Sequence, residues 1–146
     1  MRYDRQYYDK ISNQMYTLKP LICTSNKCEN ITYYGIILNG ENISVNDIRT
    51  KYKDRLIARE FTGGLDKNGK PVYDGDILRE DYEALGEKRT DYCVIEWHNP
   101  VYAYVLKHSD TDIITFNDFY GISMSDFVVI GNKYQNPELL EQIDRG

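Results

Sequence analysis

Asp66-Lys67-Asn68-Gly69-Lys70 is the densest run of residue types that could bind or react. Together with Gly64-Leu65 it matches the first seven places of a phosphate-binding loop, whose glycines bring backbone amides and whose lysine brings charge to a phosphate. The eighth place should be Ser or Thr for Mg²⁺ and is Pro71. Pro71-Val72-Tyr73-Asp74-Gly75 cannot open the helix whose N-terminus would face the phosphates, so no nucleotide is expected here. A calcium loop needs Gly at its sixth place and Glu at its twelfth; counted from Asp66 these are Pro71 and Ile77.

Other constellations are weaker. Cys23 and Cys28 could form half of a zinc site, but Cys93, His98 and His108 are scattered, and structural zinc takes four ligands from close pairs. The simpler reading is two free, metal-free thiols flanking a turn, with Cys93 a core thiol. Glu96 and His98 share a strand face and could act as acid and base, but no nucleophile accompanies them. Asp74, Asp76, Glu80 and Asp81 could hold Mg²⁺ for phosphodiester chemistry; turn bonding and solvation explain them as well. Lys51, Lys53, Arg55 and Arg59 form a basic group smaller than a usual nucleic-acid footprint. Fourteen tyrosines against four phenylalanines point to half-exposed aromatic surface, since a buried phenol needs a partner. Pairs such as Tyr33/Tyr34 and Tyr102/Tyr104 suggest an interaction surface, and one of Tyr33/Tyr34 must point outward.

The elements that must carry these residues are strands. Ile, Leu, Val and Phe make up 36 of 146 residues, enough for a core, and Ala occurs three times, so the balance favours sheet over helix. Leu21–Cys23 and Cys28–Leu38 read as a hairpin around Thr24–Lys27. Asn39-Gly40 is a tight turn, and Ser44 or Asn46 could cap a helical turn near residues 47–52. Residues 66–70 read as a hairpin tip, and Ile77–Arg79 as a strand. Residues 80–90 read as an exposed charged loop. Residues 91–98 alternate, with Cys93, Ile95 and Trp97 on one face, and Val101–Leu106 returns beside them. Residues 113–116 could be another strand and 126–131 a buried one. Asn136-Pro137-Glu138 then reads as a helix start with Asn136 as the cap. The segment from about 60 to 136 should close a five-stranded barrel with Phe61, Ile77, Ile95, Trp97, Phe127 and Val129 buried.

Net charge is −5, with residues 1–60 at +3 and residues 61–146 at −8. An acidic surface repels phosphate backbones, so nucleic acid is an unlikely partner for the second part. No apolar run is long enough to span a membrane, and the polar N-terminus lacks an apolar signal region. Three cysteines without a secretion signal suggest free thiols in a reducing, cytoplasmic setting.

Two stretches resemble a known family. Phe61-Thr62-Gly63-Gly64-Leu65-Asp66-Lys67-Asn68-Gly69-Lys70-Pro71-Val72-Tyr73-Asp74-Gly75-Asp76-Ile77 is similar to the YopX signature, roughly F-T-G-L-x-D-K-N-G-K-x-I-Y-E-G-D-I. Val129-Ile130-Gly131-Asn132-Lys133-Tyr134-Gln135-Asn136-Pro137-Glu138-Leu139-Leu140 is similar to its ending, and order and separation also match. Glu60 stands where Gln is usual, two glycines stand where one is expected, and the usual F-R-A-W-D-like start is missing. The resemblance implies a protein often encoded by phages and prophages, a Src-homology-3-like small barrel, and no established activity, cofactor or catalytic residue.

The reading is therefore mainly β: a divergent N-terminal β region at 1–58, a small barrel at 59–146 and a short C-terminal helical turn. The signature residues Phe61, Gly63, Asp66, Asn68, Gly69, Tyr73, Gly75, Asp76, Gly131, Asn136 and Pro137 are structural, and Tyr33, Tyr34, Tyr102 and Tyr104 are the candidate interaction surface. The expected function is non-enzymatic binding of a protein, including self-association, without cofactor. Single-stranded nucleic-acid binding is the alternative, and metal-dependent phosphodiester hydrolysis is a weaker one.

Overall fold

The computed structural model describes residues 5–23, 32–101, 103–108, 113–115 and 124–144. The chain is mainly β and divides into two units, Met1–Glu60 and Phe61–Gly146.

The first unit holds β1 (Gln6–Asp9), β2 (Gln14–Thr17), β3 (Lys19–Ile22), β4 (Thr32–Leu38), β5 (Glu41–Ser44), α1 (Val45–Thr50) and β6 (Leu56–Arg59). They form two antiparallel sheets, ordered β2-β1-β6 and β3-β4-β5. Ile22 pairs with Thr32 as a hairpin requires, and the tip expected at 24–27 lies outside the described residues. Asn39 and Gly40 turn β4 into β5 with φ of +51° and +81°. Ser44 caps α1 by accepting the Asp47 amide at 3.1 Å. Tyr7, Ile36, Leu38, Ile43, Ile48 and Leu56 make the core.

Asp9 is fully buried at the end of β1. Its two carboxylate oxygens take Nε and Nη2 of Arg55 at 2.8 and 2.9 Å, and also accept from Ser12 Oγ at 2.6 Å and the Ile11 amide at 3.0 Å. One side chain thereby ties the β1–β2 turn to the entry of β6.

Cys23 is disulfide-bonded, which corrects the expectation of a free thiol there and removes the cysteine argument for a reducing compartment. Cys28 lies outside the described residues.

The second unit contains β7 (Phe61–Leu65), β8 (Pro71–Tyr73), β9 (Asp76–Ala84), β10 (Glu87–His98), β11 (Ala103–Lys107), β12 (Ile113–Thr115), β13 (Val128–Asn132) and α2 (Leu140–Asp144). β7 and β8 pair with each other; the rest form a five-stranded antiparallel sheet ordered β12-β11-β10-β9-β13. The expected barrel is not found: among the described residues no pairing joins β12 to β13, so the sheet is open. β9 and β10 continue past their neighbours instead of curling into a ring. Residues 80–90, expected as a loop, are those continuations: Glu80 pairs with Asp91 and Ala84 with Glu87 across a two-residue Leu85-Gly86 turn. Burial alternates along the β9 half, with Glu80, Tyr82 and Ala84 half-buried and Asp81 and Glu83 exposed, but Glu87–Thr90 of β10 are exposed throughout, so the ribbon shows little apolar alternation in sequence.

The sheet is covered on both faces. Leu78, Cys93, Ile95 and Leu106 pack with Val72 and Phe127 on one side. Ile77 and Val94 pack with Ile143 on the other, with Leu139 and Leu140 beside them. The C-terminal helical segment therefore roofs a second core layer. Ile77, Ile95 and Phe127 are buried as expected, Phe61 and Val129 are half-buried, and Trp97 is 47% exposed, a correction. Trp97 continues the apolar face of β10 beyond the point where anything covers it among the described residues.

Candidate interaction surface

The signature residues build supports rather than a pocket. Asp66 is buried at the β7–β8 turn, where Oδ1 accepts the Asn68 and Lys70 amides at 2.9 and 2.8 Å. Gly69 closes the same turn onto the Asp66 carbonyl at φ +80°. Gly63 sits at φ +92° where the β7–β8 register shifts. The half-buried Phe61 ring lies 5.9 Å from that of buried Tyr73. Buried Asp76 accepts the Tyr73 amide at 2.8 Å. Gly75 donates to Ile95 O at 2.7 Å and accepts from the Lys133 amide at 2.9 Å; its φ is +85°, and a Cβ there would meet the Tyr134 ring at 2.9 Å.

Asn136 does not cap a helix as expected. Its side-chain oxygen accepts the Asn132 amide at 3.2 Å, while Asn132 Oδ1 accepts the Tyr134 and Gln135 amides at 3.1 and 2.9 Å. Gly131 is required by the same packing, since a Cβ would lie 2.5 Å from Asn136 Oδ1. Pro137 opens a 3-10 turn leading into α2.

The candidate catalytic groups are engaged separately. Glu96 is held by Lys133 at 3.2 Å and Lys107 at 3.8 Å. Asp76 holds its turn, and Asp81 accepts from Thr90 at 2.6 Å and Arg79 at 3.1 Å. Among the described residues no three His, Cys, Asp or Glu side chains converge as metal ligands. Burial pushes Glu80 up, and neighbouring Asp126 and Asp91 add to the shift. Burial likewise raises the Cys93 thiol well above its ordinary value, as suits an inert core residue. The basic group of the first unit is halved: Arg55 is bonded to Asp9 and Arg59 is buried, while Lys51 and Lys53 stay exposed.

Exposed apolar surface is what remains. Tyr33 is half-buried and Tyr34 exposed, on opposite faces of β4; Tyr34 pairs across to exposed Pro20, beside exposed Ile22. In the second unit Trp97 meets Tyr104 edge to face at 5.2 Å across β10–β11, with its Nε1 donating to Asn99 at 2.8 Å. Tyr102 lies outside the described residues. A polar groove of about 510 Å³ runs along the ribbon, lined by Arg79, Asp81, Tyr82, Glu83, Lys88, Arg89 and Thr90. Sequence reading missed this ribbon. Its available signal was two runs of charged and polar residues set about a Leu85-Gly86 pair.

No curated protein matches the chain. Among solved structures, a crystal structure of a protein from Enterococcus faecalis superposes with a TM-score of 0.55 at 22% identity, covering 96% of this chain and 99% of the other. The crystal structure of YopX from Bacillus subtilis gives 0.53 at 20% identity, covering 96% and 97%. No helix among the described residues is long and apolar enough to cross a membrane. The family model described as YopX protein matches residues 6–141, taking in most of the first unit, which the two sequence motifs left aside. Both units thus fall within one match, and the chain belongs to the YopX family.

Proposed function

We propose that the chain is a non-enzymatic accessory protein of phage or prophage origin that works by binding protein. The observation that carries the reading is Trp97, held edge-on to Tyr104 yet nearly half exposed. Tryptophan and tyrosine concentrate at protein interfaces, where a large rigid ring is desolvated at small entropic cost. The loss of Arg55 and Arg59 to internal contacts weakens the nucleic-acid alternative, and the separate engagement of the acids weakens the hydrolase alternative. The test places a photo-reactive group at position 97 of the full chain in bacterial cells. Protein adducts, lost when Tyr104→Ala accompanies the probe, are the expected result. Adducts with nucleic acid alone, or none, overturn the reading.

A further inference from the structure

β9 and β10 leave the sheet together. β13 stops pairing β9 at Arg79 and β11 stops pairing β10 at Val94, but β9 and β10 stay paired as far as Ala84 and Glu87. Among the described residues nothing pairs with the outer edge of β10 from Glu87 to Cys93, or of β9 from Glu80 to Ala84. A free edge presents backbone donors and acceptors to any strand that fits. Main-chain bonds then supply affinity and side chains choose the register.

For two identical edges to pair antiparallel about a two-fold axis, the axis must pass through a residue, because only alternate residues turn their backbone groups outward. On β9 an axis at Glu80, Asp81 or Glu83 sets a carboxylate against itself, and one at Tyr82 sets Asp81 against Glu83. On β10 an axis at Lys88, Arg89 or Asp91 sets a charge against its own copy. An axis at Thr90 sets Thr90 opposite Thr90, Arg89 opposite Asp91 on both sides, and Lys88 opposite Tyr92. Opposite charges and threonine pairs are favourable cross-strand neighbours, and like charges are not.

We propose that two copies of the chain join through their β10 edges, antiparallel about Thr90, with Arg89 of each copy facing Asp91 of the other. The proposal rests on the protein-binding reading and names a second copy as a partner. A two-stranded ribbon alone is marginal in water, and here it becomes part of a four-stranded layer shared by two molecules. The register sets Glu87 opposite Cys93, the last position before β11 takes over that edge at Val94.

Sedimentation of the full chain over a range of concentrations tests this. Arg89→Asp and Asp91→Arg are each expected to weaken the dimer about tenfold or more, and the double variant to restore it. Opposed residues of an antiparallel pair fall within disulfide reach, so Thr90→Cys is expected to give a covalent dimer on oxidation, whereas Glu83→Cys on β9 is not. Asp91 also accepts a bond from Tyr82, so Asp91→Arg can loosen the ribbon by itself; the Thr90→Cys cross-link then decides. A monomer at every concentration without that cross-link overturns the proposal, as does a dimer indifferent to Arg89→Asp. Neither result touches the adducts at position 97, so the two readings fall separately.

Discussion

Asp66 and Val129 lie 63 positions apart and share a hydrogen bond, the Val129 amide donating to Asp66 Oδ2 at 3.0 Å. The other oxygen of the same carboxylate holds two turn amides, and the Lys67 amide bonds Phe127 O at 2.8 Å alongside. Asp66 thus joins the first signature stretch to the second. Removing it strands three backbone donors, each of which loses a charge-assisted bond. Asp66→Ala is expected to cost about 3 kcal/mol in urea unfolding, and Asp66→Asn less, because its one carbonyl oxygen keeps part of the set.

The Arg55 guanidinium holds the Asp9 carboxyl well below the usual carboxylate range, against the opposing effect of burial, and Ser12 and the Ile11 amide add to the shift. A depressed carboxyl stabilises the fold in full above its unfolded value of about 3.9 and loses that contribution as pH falls toward the folded value. Asp9→Asn should cost about 3 kcal/mol at neutral pH, since it breaks a buried pair. The gap between wild type and variant should narrow below about pH 4, read from denaturant midpoints across an acid series.

Gly75 and Gly86 both sit at positive φ, +85° and +78°, but only Gly75 is crowded. Gly86→Ala meets nothing within 4 Å and should cost about 1 kcal/mol through backbone strain alone. Gly75→Ala must also displace the Tyr134 ring and the Lys133 side chain, and should cost about 2 kcal/mol or more. Thermal midpoints of the two variants give the comparison.

Leu85 holds φ at +54° while its side chain is almost wholly in solvent, so the folded monomer gains nothing from it in return for an unfavourable backbone. Leu85→Asn supplies the Asn-Gly pair such a turn prefers, and should raise stability by about 0.5–1 kcal/mol in calorimetry of dilute chain.

The turns were legible because unusual backbone demands particular residues. Asn39-Gly40 and Asp66–Lys70 stand where the sequence puts them, and Ser44 caps α1. The ribbon was not legible, because only Tyr82 and Ala84 mark its drier face and Glu87–Thr90 are exposed throughout, which leaves too little apolar alternation to read. Nor was the Asp9–Arg55 pair, whose members are 46 positions apart with nothing local to link them. Asn136 had the right type and place for a cap but turned its oxygen back to Asn132, whose carbonyl accepts the Asn136 amide across the turn between them. Trp97 kept the expected face of its strand, and what failed was the assumption that the core extends as far as the strand does. At the interaction surface, tyrosine abundance points to Tyr34 and Tyr104, but not to exposed Trp97 or the β9–β10 ribbon.

The double cover of the second sheet also sets an order of assembly during synthesis. Phe127 completes one face and Ile143 the other, and β13 is the last strand to be made although it pairs with β9, the third. A ribosome must therefore translate nearly all of this unit before either face can close, and contacts of such long sequence separation form slowly. The first unit is different, since its core residues all lie between Tyr7 and Leu56 and its sheets close with β6. It has everything needed to fold while the second unit is still emerging, and in that unit Leu78, Ile95 and Leu106 wait for Phe127 while Ile77 and Val94 wait for Ile143. In that interval their uncovered apolar surface is an aggregation risk.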